Sequence, residues 1–254
     1  MPITPARSGL PASVLRVARP STVDLIAIEL RNAIFSGALA VGSQLGEVDI
    51  ATQLGVSRGP LREATQRLVQ EGVLTSLPGR GLRVSVVPPE DIPDLYLARR
   101  AVEGEALRCL VAAGAASTLP ALETALDQLL TASEGDDARA IGDADLAFHQ
   151  VLVDAAGSRR LSQAMATLAI QTRIASFSAK DGYAVPATVS PTFRALLDAL
   201  VAGDVDAAVA ALGRQFDDAV ARLTGVRDVE TVETDTAALT APLMPLDQLA
   251  AEPE

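Results

Sequence analysis

Two sets of side chains have the types and spacing to do chemistry. Arg58 and Arg62 stand four residues apart at the start of a helical pattern, and Arg80 lies between Gly79 and Gly81 in a turn. A guanidinium is a planar, permanently charged fork that matches O6 and N7 of guanine, a contact worth about 1–3 kcal/mol of base discrimination. Ser57 and the helix N-terminus behind it can hold a phosphate. Arg67, further along the same helix, suits a phosphate contact or solvent. The set points to double-stranded DNA, and the competing reading is surface ion pairing with Glu63 or Glu47. The second set is Asp145 and His149, one helical turn apart on one face, where together they could bind a divalent ion. Because the chain has a single histidine, two ligands and water would hold such an ion poorly, and a metal is disfavoured. Arg99 and Arg173 are candidates for a carboxylate, which a guanidinium can grip bidentately. Three plainer readings stay open: Arg99 pairs with Glu103, Arg173 faces solvent, and His149 is a core histidine satisfied by Asp145.

The elements that must position these residues are legible from periodicity. Over 57–72, Ser57 is a natural N-cap and Pro60 suits a first turn. Leu61, Ala64 and Leu68 make one apolar stripe, with Arg58, Arg62, Thr65 and Gln66 pointing away from it. A shorter helix over 47–54, with Ile50, Ala51 and Leu54 inward, stops at Gly55. The Gly55-Val56-Ser57 turn between them makes a helix-turn-helix. Two β-prone runs, 73–77 and 82–86, flank Pro78-Gly79-Arg80-Gly81 and predict a hairpin wing with a basic tip. Ahead of the pair, Val23, Ile26, Ala27, Leu30 and Ile34 mark a supporting helix capped by Ser21 or Thr22. Gly37 ends that helix, and Gly42 and Gly46 mark the connection onward.

Pro88-Pro89 is the clearest boundary, since neither a sheet ladder nor a preceding helix continues through it. Six helices are expected beyond it, over 91–113, 119–131, 138–156, 160–177, 191–201 and 205–223. No β-alternation interrupts them, so an all-α bundle follows. The fold class is mainly α: a winged helix-turn-helix over 21–88 with a small β-hairpin wing, then a helical domain over 89–223. Residues 1–20 read as a flexible arm and 224–254 as an acidic mobile tail, in which LMPLDQL could dock as a short element.

Length and charge agree with two domains. The 254 residues carry a net charge of -11, unsuited to a DNA binder until the chain is divided. Residues 1–88 hold nine arginines against six acidic residues, a balance of +3, and residues 89–254 hold 12 basic against 26 acidic, a balance of -14. Exposed charges more than about 8–10 Å apart are largely screened at cellular salt, so a local basic face can bind phosphates on an acidic molecule. The sequence has no apolar run of about 18 residues and no secretory leader pattern, so a cytoplasmic protein without a membrane partner is expected. One cysteine, Cys109, forbids an intramolecular disulfide and reads as a buried small hydrophobe. Neither a second histidine nor a phosphate loop is present, which argues against an enzyme.

The runs LRNAIFSGAL, GSQLGEVDIATQLGVSRGPLREATQRLVQEGVL and GRGLRV resemble the DNA-binding domain of the GntR family of bacterial transcription regulators. The runs DIPDLYLARRAVEGEA, DADLAFHQVLVDAAGSRRL and FRALLDALVAGDVDAAVAAL resemble the FCD effector-binding domain of its FadR-like branch. The resemblance implies a homodimer that binds a short inverted repeat as its operator, with repression as the default mode. It also implies a small-molecule effector, often a carboxylate, bound inside the bundle. Many FCD domains complete an Asp–His metal site with two further histidines; the matching positions here are Phe193 and Gln215. An apolar wall and a neutral donor are expected there instead, so the effector set is Arg99, Asp145, His149, Arg173, Phe193 and Gln215. A metal-sensing regulator using Asp145 and His149 is the alternative, and a helical-bundle enzyme a remote one. Val48 stands where the family often has a polar or basic residue, which removes one expected base contact.

Overall fold

A computed structural model of the protein describes residues 20–135, 137–178 and 190–225. The expected arm and tail therefore lie, apart from residues 20, 224 and 225, outside the described residues. Helix α1 (Thr22–Phe35) starts with a capping box. The Asp24 amide donates to the Ser21 hydroxyl at 3.2 Å, and the Ser21 amide donates back to the Asp24 carboxylate at 2.9 Å, so two otherwise unpaired helix-end donors are satisfied. Helices α2 (Glu47–Gln53) and α3 (Arg58–Gln70) follow, joined across Gly55, whose φ of 66° lies in the left-handed region a side chain resists. Ile26, Leu30, Ile34, Leu54, Leu61 and Leu68 meet in one core beneath them.

The wing is a three-stranded antiparallel sheet in the order β1-β3-β2, formed by β1 (Gln44–Leu45), β2 (Leu74–Leu77) and β3 (Gly81–Val84). The two hairpin strands are shorter than expected, although the Ser85 amide still donates to the Val73 carbonyl at 3.0 Å. Strand β1 is an addition, since sequence reading made this stretch a plain connection. Two residues are too few to show a period of two, and it is their pairing with Arg83 and Leu82 that makes them a strand.

After Pro88 a single 3-10 turn, Pro89–Asp91, leads into α4 (Ile92–Ala113), which ends at Gly114 with φ 77°. A second 3-10 turn (Ala115–Ser117) leads to α5 (Leu119–Ser133), α6 (Ala138–Ala155), α7 (Arg159–Ser178), α8 (Ser190–Ala202) and α9 (Val205–Leu223). The Asp137 carboxylate accepts from the backbone of Arg139 and Ala140, and Asp204 from Ala207, which fixes where α6 and α9 begin. Leu107, Leu126, Phe148, Leu152, Leu196, Leu212 and Phe216 fill a second core. Cys109 is half-buried, not the fully buried hydrophobe expected.

One helix belongs to both cores. Ile170 of α7 packs against the N-terminal core, and the Gln171 side-chain amide lies 3.8 Å from where a Cβ on Gly72, just past α3, would stand. No helix among the described residues is long and apolar enough to cross a membrane.

Candidate DNA-reading face and effector cavity

Helix α3 is fixed by Leu61, Ala64 and Leu68, none of which is exposed, so its other face must look outward. Ser57, Arg58, Arg62 and Gln66 lie on that exposed face. The Ser57 backbone has N-cap geometry, but its hydroxyl caps nothing; the first amides of α3 therefore lack a side-chain partner and are available to an anion. Thr65 departs from the sequence reading. It is buried, with its hydroxyl donating to the Arg62 carbonyl at 3.1 Å, because a short side chain beside the stripe can return its polar atom to its own helix.

The arginines divide into two groups. Among the described residues Arg58 forms no ion pair, and neither does Arg80, exposed at the wing tip between Gly79 (φ 70°) and Gly81 (φ 81°). Arg62 takes the alternative weighed for it, an ion pair with Glu47 at 3.0 Å across the α2–α3 corner. That pair is exposed and worth no more than about 1 kcal/mol, so the guanidinium remains exchangeable. Arg67, expected as a phosphate contact or a solvated side chain, bridges Asp24 at 2.7 Å and Glu71 at 3.0 Å, and Arg31 holds the other Glu71 oxygen at 2.5 Å. Hydrogen bonds from Ser21, then the Arg67 contact, keep the Asp24 carboxyl below its ordinary value. Arg67 thus ties α1 to α3.

In the bundle, residues of α4, α5, α6, α7, α8 and α9 line a cavity that opens to solvent. Arg99, Asp145, His149, Arg173, Phe193 and Gln215 all line it, so the topology gathers on one wall system the six residues singled out in the sequence. The Arg99 Nε donates to Glu103 Oε1 at 2.8 Å, and His149 Nδ1 meets Glu103 Oε2 at 2.5 Å. Both are buried, with Arg99 1% and Glu103 0% exposed. The Arg99 guanidinium also stacks over Phe216 at 4.6 Å and Tyr96 at 5.1 Å.

Burial by itself would discharge this group, yet the charges support one another. For Glu103 burial pushes the carboxyl up, and Arg99 and His149 outweigh it, so it is held below the ordinary carboxylate range. For Arg99 burial works against the charge, and the Glu103 carboxylate more than offsets it. Burial raises the Tyr96 hydroxyl as well.

Two plainer readings are corrected. The partner of His149 is Glu103, because Asp145 Oδ1 stands 3.9 Å from Nε2, beyond hydrogen-bond range. Arg173 does not face solvent: it is 3% exposed, pairs with Asp143 at 3.0 Å and stacks on Phe177 at 4.8 Å. Burial raises the Asp143 carboxyl, with Arg173 opposing.

Comparison with known proteins decides the family. Residues 22–84 match the bacterial regulatory proteins of the gntR family, and residues 94–218 match the FCD domain. The probable D-xylose utilization operon transcriptional repressor of Paenarthrobacter nicotinovorans is 31% identical over 191 residues, covering 74% of this chain and 81% of the relative. The chain belongs to the GntR family. The pairing with an FCD domain places this GntR-family regulator in the FadR-like branch. A solved structure of a GntR transcriptional regulator from Rhodococcus sp. RHA1 superposes with a TM-score of 0.69 at 30% identity, covering 81% of this chain and 99% of that one. An HTH-type transcriptional regulator of Agrobacterium vitis is 35% identical over 127 residues, covering 49% of this chain and 74% of the relative. These relatives are transcription regulators, and so is this GntR-family chain, which is not an enzyme.

A divalent metal, as the FCD resemblance suggests, does not fit the residues present. Of the four positions that would form such a site, Asp145 and His149 offer good ligand atoms, while Phe193 presents a ring 5.7 Å from the imidazole and Gln215 a neutral amide. Among the described residues no three His, Cys, Asp or Glu side chains gather to hold one. Sequence reading missed Glu103 as a member of the site and treated it only as a competitor for Arg99. Its spacing to Arg99 was visible; its contact with His149, 46 residues away, was not.

Proposed function

We propose that this regulator is a ligand-responsive repressor that binds an inverted-repeat operator as a homodimer and is released when a small organic carboxylate enters the bundle cavity. Arg58, Arg80 and the exchangeable Arg62 read or grip the DNA, while Arg99, Arg173 and Gln215 receive the acid. The observation that carries the reading is the sharing of α7. Ile170 packs against the DNA-binding unit, and Thr172, Arg173 and Ser176, further along the same helix, line the cavity.

A ligand that re-seats Arg173 acts on the helix that buttresses the end of α3. Two reading helices held at a changed angle no longer fit both half-sites. The shift requires only differential affinity: a 100-fold preference of the ligand for the released arrangement supplies about 2.7 kcal/mol of coupling. The test is selection of bound fragments from random DNA by the full chain, repeated with candidate carboxylates. A short palindrome enriched, then released by one acid, is expected. Enrichment of no sequence would overturn specific reading.

A further inference from the structure

The cavity holds more hydrogen-bonding capacity than its walls use. Arg99 Nη2 and both amide atoms of Gln215 are buried with no hydrogen-bond partner among the described residues, and leaving a buried polar atom unpaired is costly. A cavity built on such atoms is completed by what enters it. Asp145, on α6, brings the reverse polarity to the same cavity. Its Oδ1 lies 3.9 Å from His149 Nε2, too far for a bond between them. Among the described residues Asp145 accepts no hydrogen bond of its own.

We propose that the cavity selects a small carboxylic acid that also carries a hydrogen-bond donor, an ammonium or hydroxyl group, with the carboxylate on Arg99 and Gln215 and the donor on Asp145. This rests on the carboxylate reading above and narrows it. An acid without such a group brings a second negative charge near Asp145 with no proton between them. A site built to hydrogen-bond a ligand group rejects the analogue that lacks it, because its own buried atoms are then stranded. Gln215 Oε1 adds one more acceptor for a donor-bearing ligand, and Phe193 and Phe216 cover its carbon skeleton.

The test is calorimetric titration of the full chain with three acids of one skeleton: hexanoate, 2-hydroxyhexanoate and 2-aminohexanoate. At least one donor-bearing acid is expected to bind tenfold or more tightly than hexanoate, and the stronger of the two identifies the donor. The half-exposed Asp145→Ala variant, its fold checked by circular dichroism, should erase that preference, and Gln215→Leu should weaken all binding. Equal affinity for the three acids, or an undiminished preference in Asp145→Ala, overturns the proposal and leaves the carboxylate reading standing. Binding of none of them, with DNA selected but released by no acid, overturns the carboxylate reading and this inference with it.

Discussion

Glu103 is the residue on which the bundle interior depends most. It neutralises Arg99 and takes His149 Nδ1 with its two oxygens, so removing its charge strands a buried guanidinium. Glu103→Gln should cost about 3–5 kcal/mol of stability, as breaking one side of a buried ion pair does, read from the urea midpoint. The pH dependence has a definite sign. The Glu103 carboxyl is depressed in the fold, so its contribution is complete above the unfolded value and is lost as pH falls through the lower folded one. Asp143 is raised and works the opposite way, gaining as pH falls. Urea titrations from neutral pH down through the carboxylate range should show a net acid loss in the wild type that is smaller in Glu103→Gln. On the DNA face, Arg58→Ala should cost about 1–3 kcal/mol of operator discrimination. Arg67→Ala should instead lower thermal stability, because its partners are Asp24 and Glu71; gel-shift and melting measurements on the two variants separate the roles.

At the scale of elements, the argument turns on α7. Its residues serve two cores within one helical turn, with Ile170 on the DNA-binding side and Arg173 on the cavity side. Ile170→Ala is expected to leave ligand affinity and ligand-free DNA affinity within about threefold of wild type while reducing the ratio of DNA affinities with and without ligand, since coupling needs an element that both sites bias. An unchanged ratio in quantitative DNA binding would remove α7 from the pathway. The capping box of α1 offers a smaller effect: Ser21→Ala should cost about 1 kcal/mol, visible as a shift of the urea midpoint. Helix starts and stops were legible because Asp137, Asp204 and Gly114 carry local signals that need no distant partner. Strand β1 was not, since a two-residue strand exists only through its pairing with β3.

The whole molecule must bind a polyanion while carrying a net charge of -11. The +3 balance of residues 1–88 against -14 beyond them predicts a binding constant strongly dependent on salt. Each phosphate neutralised contributes a slope of about -0.9 in log K against log salt. Fluorescence anisotropy across a salt series should show that slope reduced in Arg80→Ala if the wing tip contacts a phosphate. A dimer on an inverted repeat predicts two chains per operator, which sedimentation of the complex counts.

The sequence by itself determined the winged helix-turn-helix, the six helices that follow, and the arginines at the exposed start of α3 and the wing tip. These rest on periods of 3.6 and 2, on caps and on turn residues, all properties of neighbours in the chain. Only the tertiary structure decided that Glu103, and not Asp145, is the partner of His149, that Arg67 is an intradomain tie, that Arg173 is buried, and that α7 joins two cores. Each of those depends on which helices pack together, and burial then fixes the partner: a charge removed from water must find its counter-charge wherever the fold has placed one.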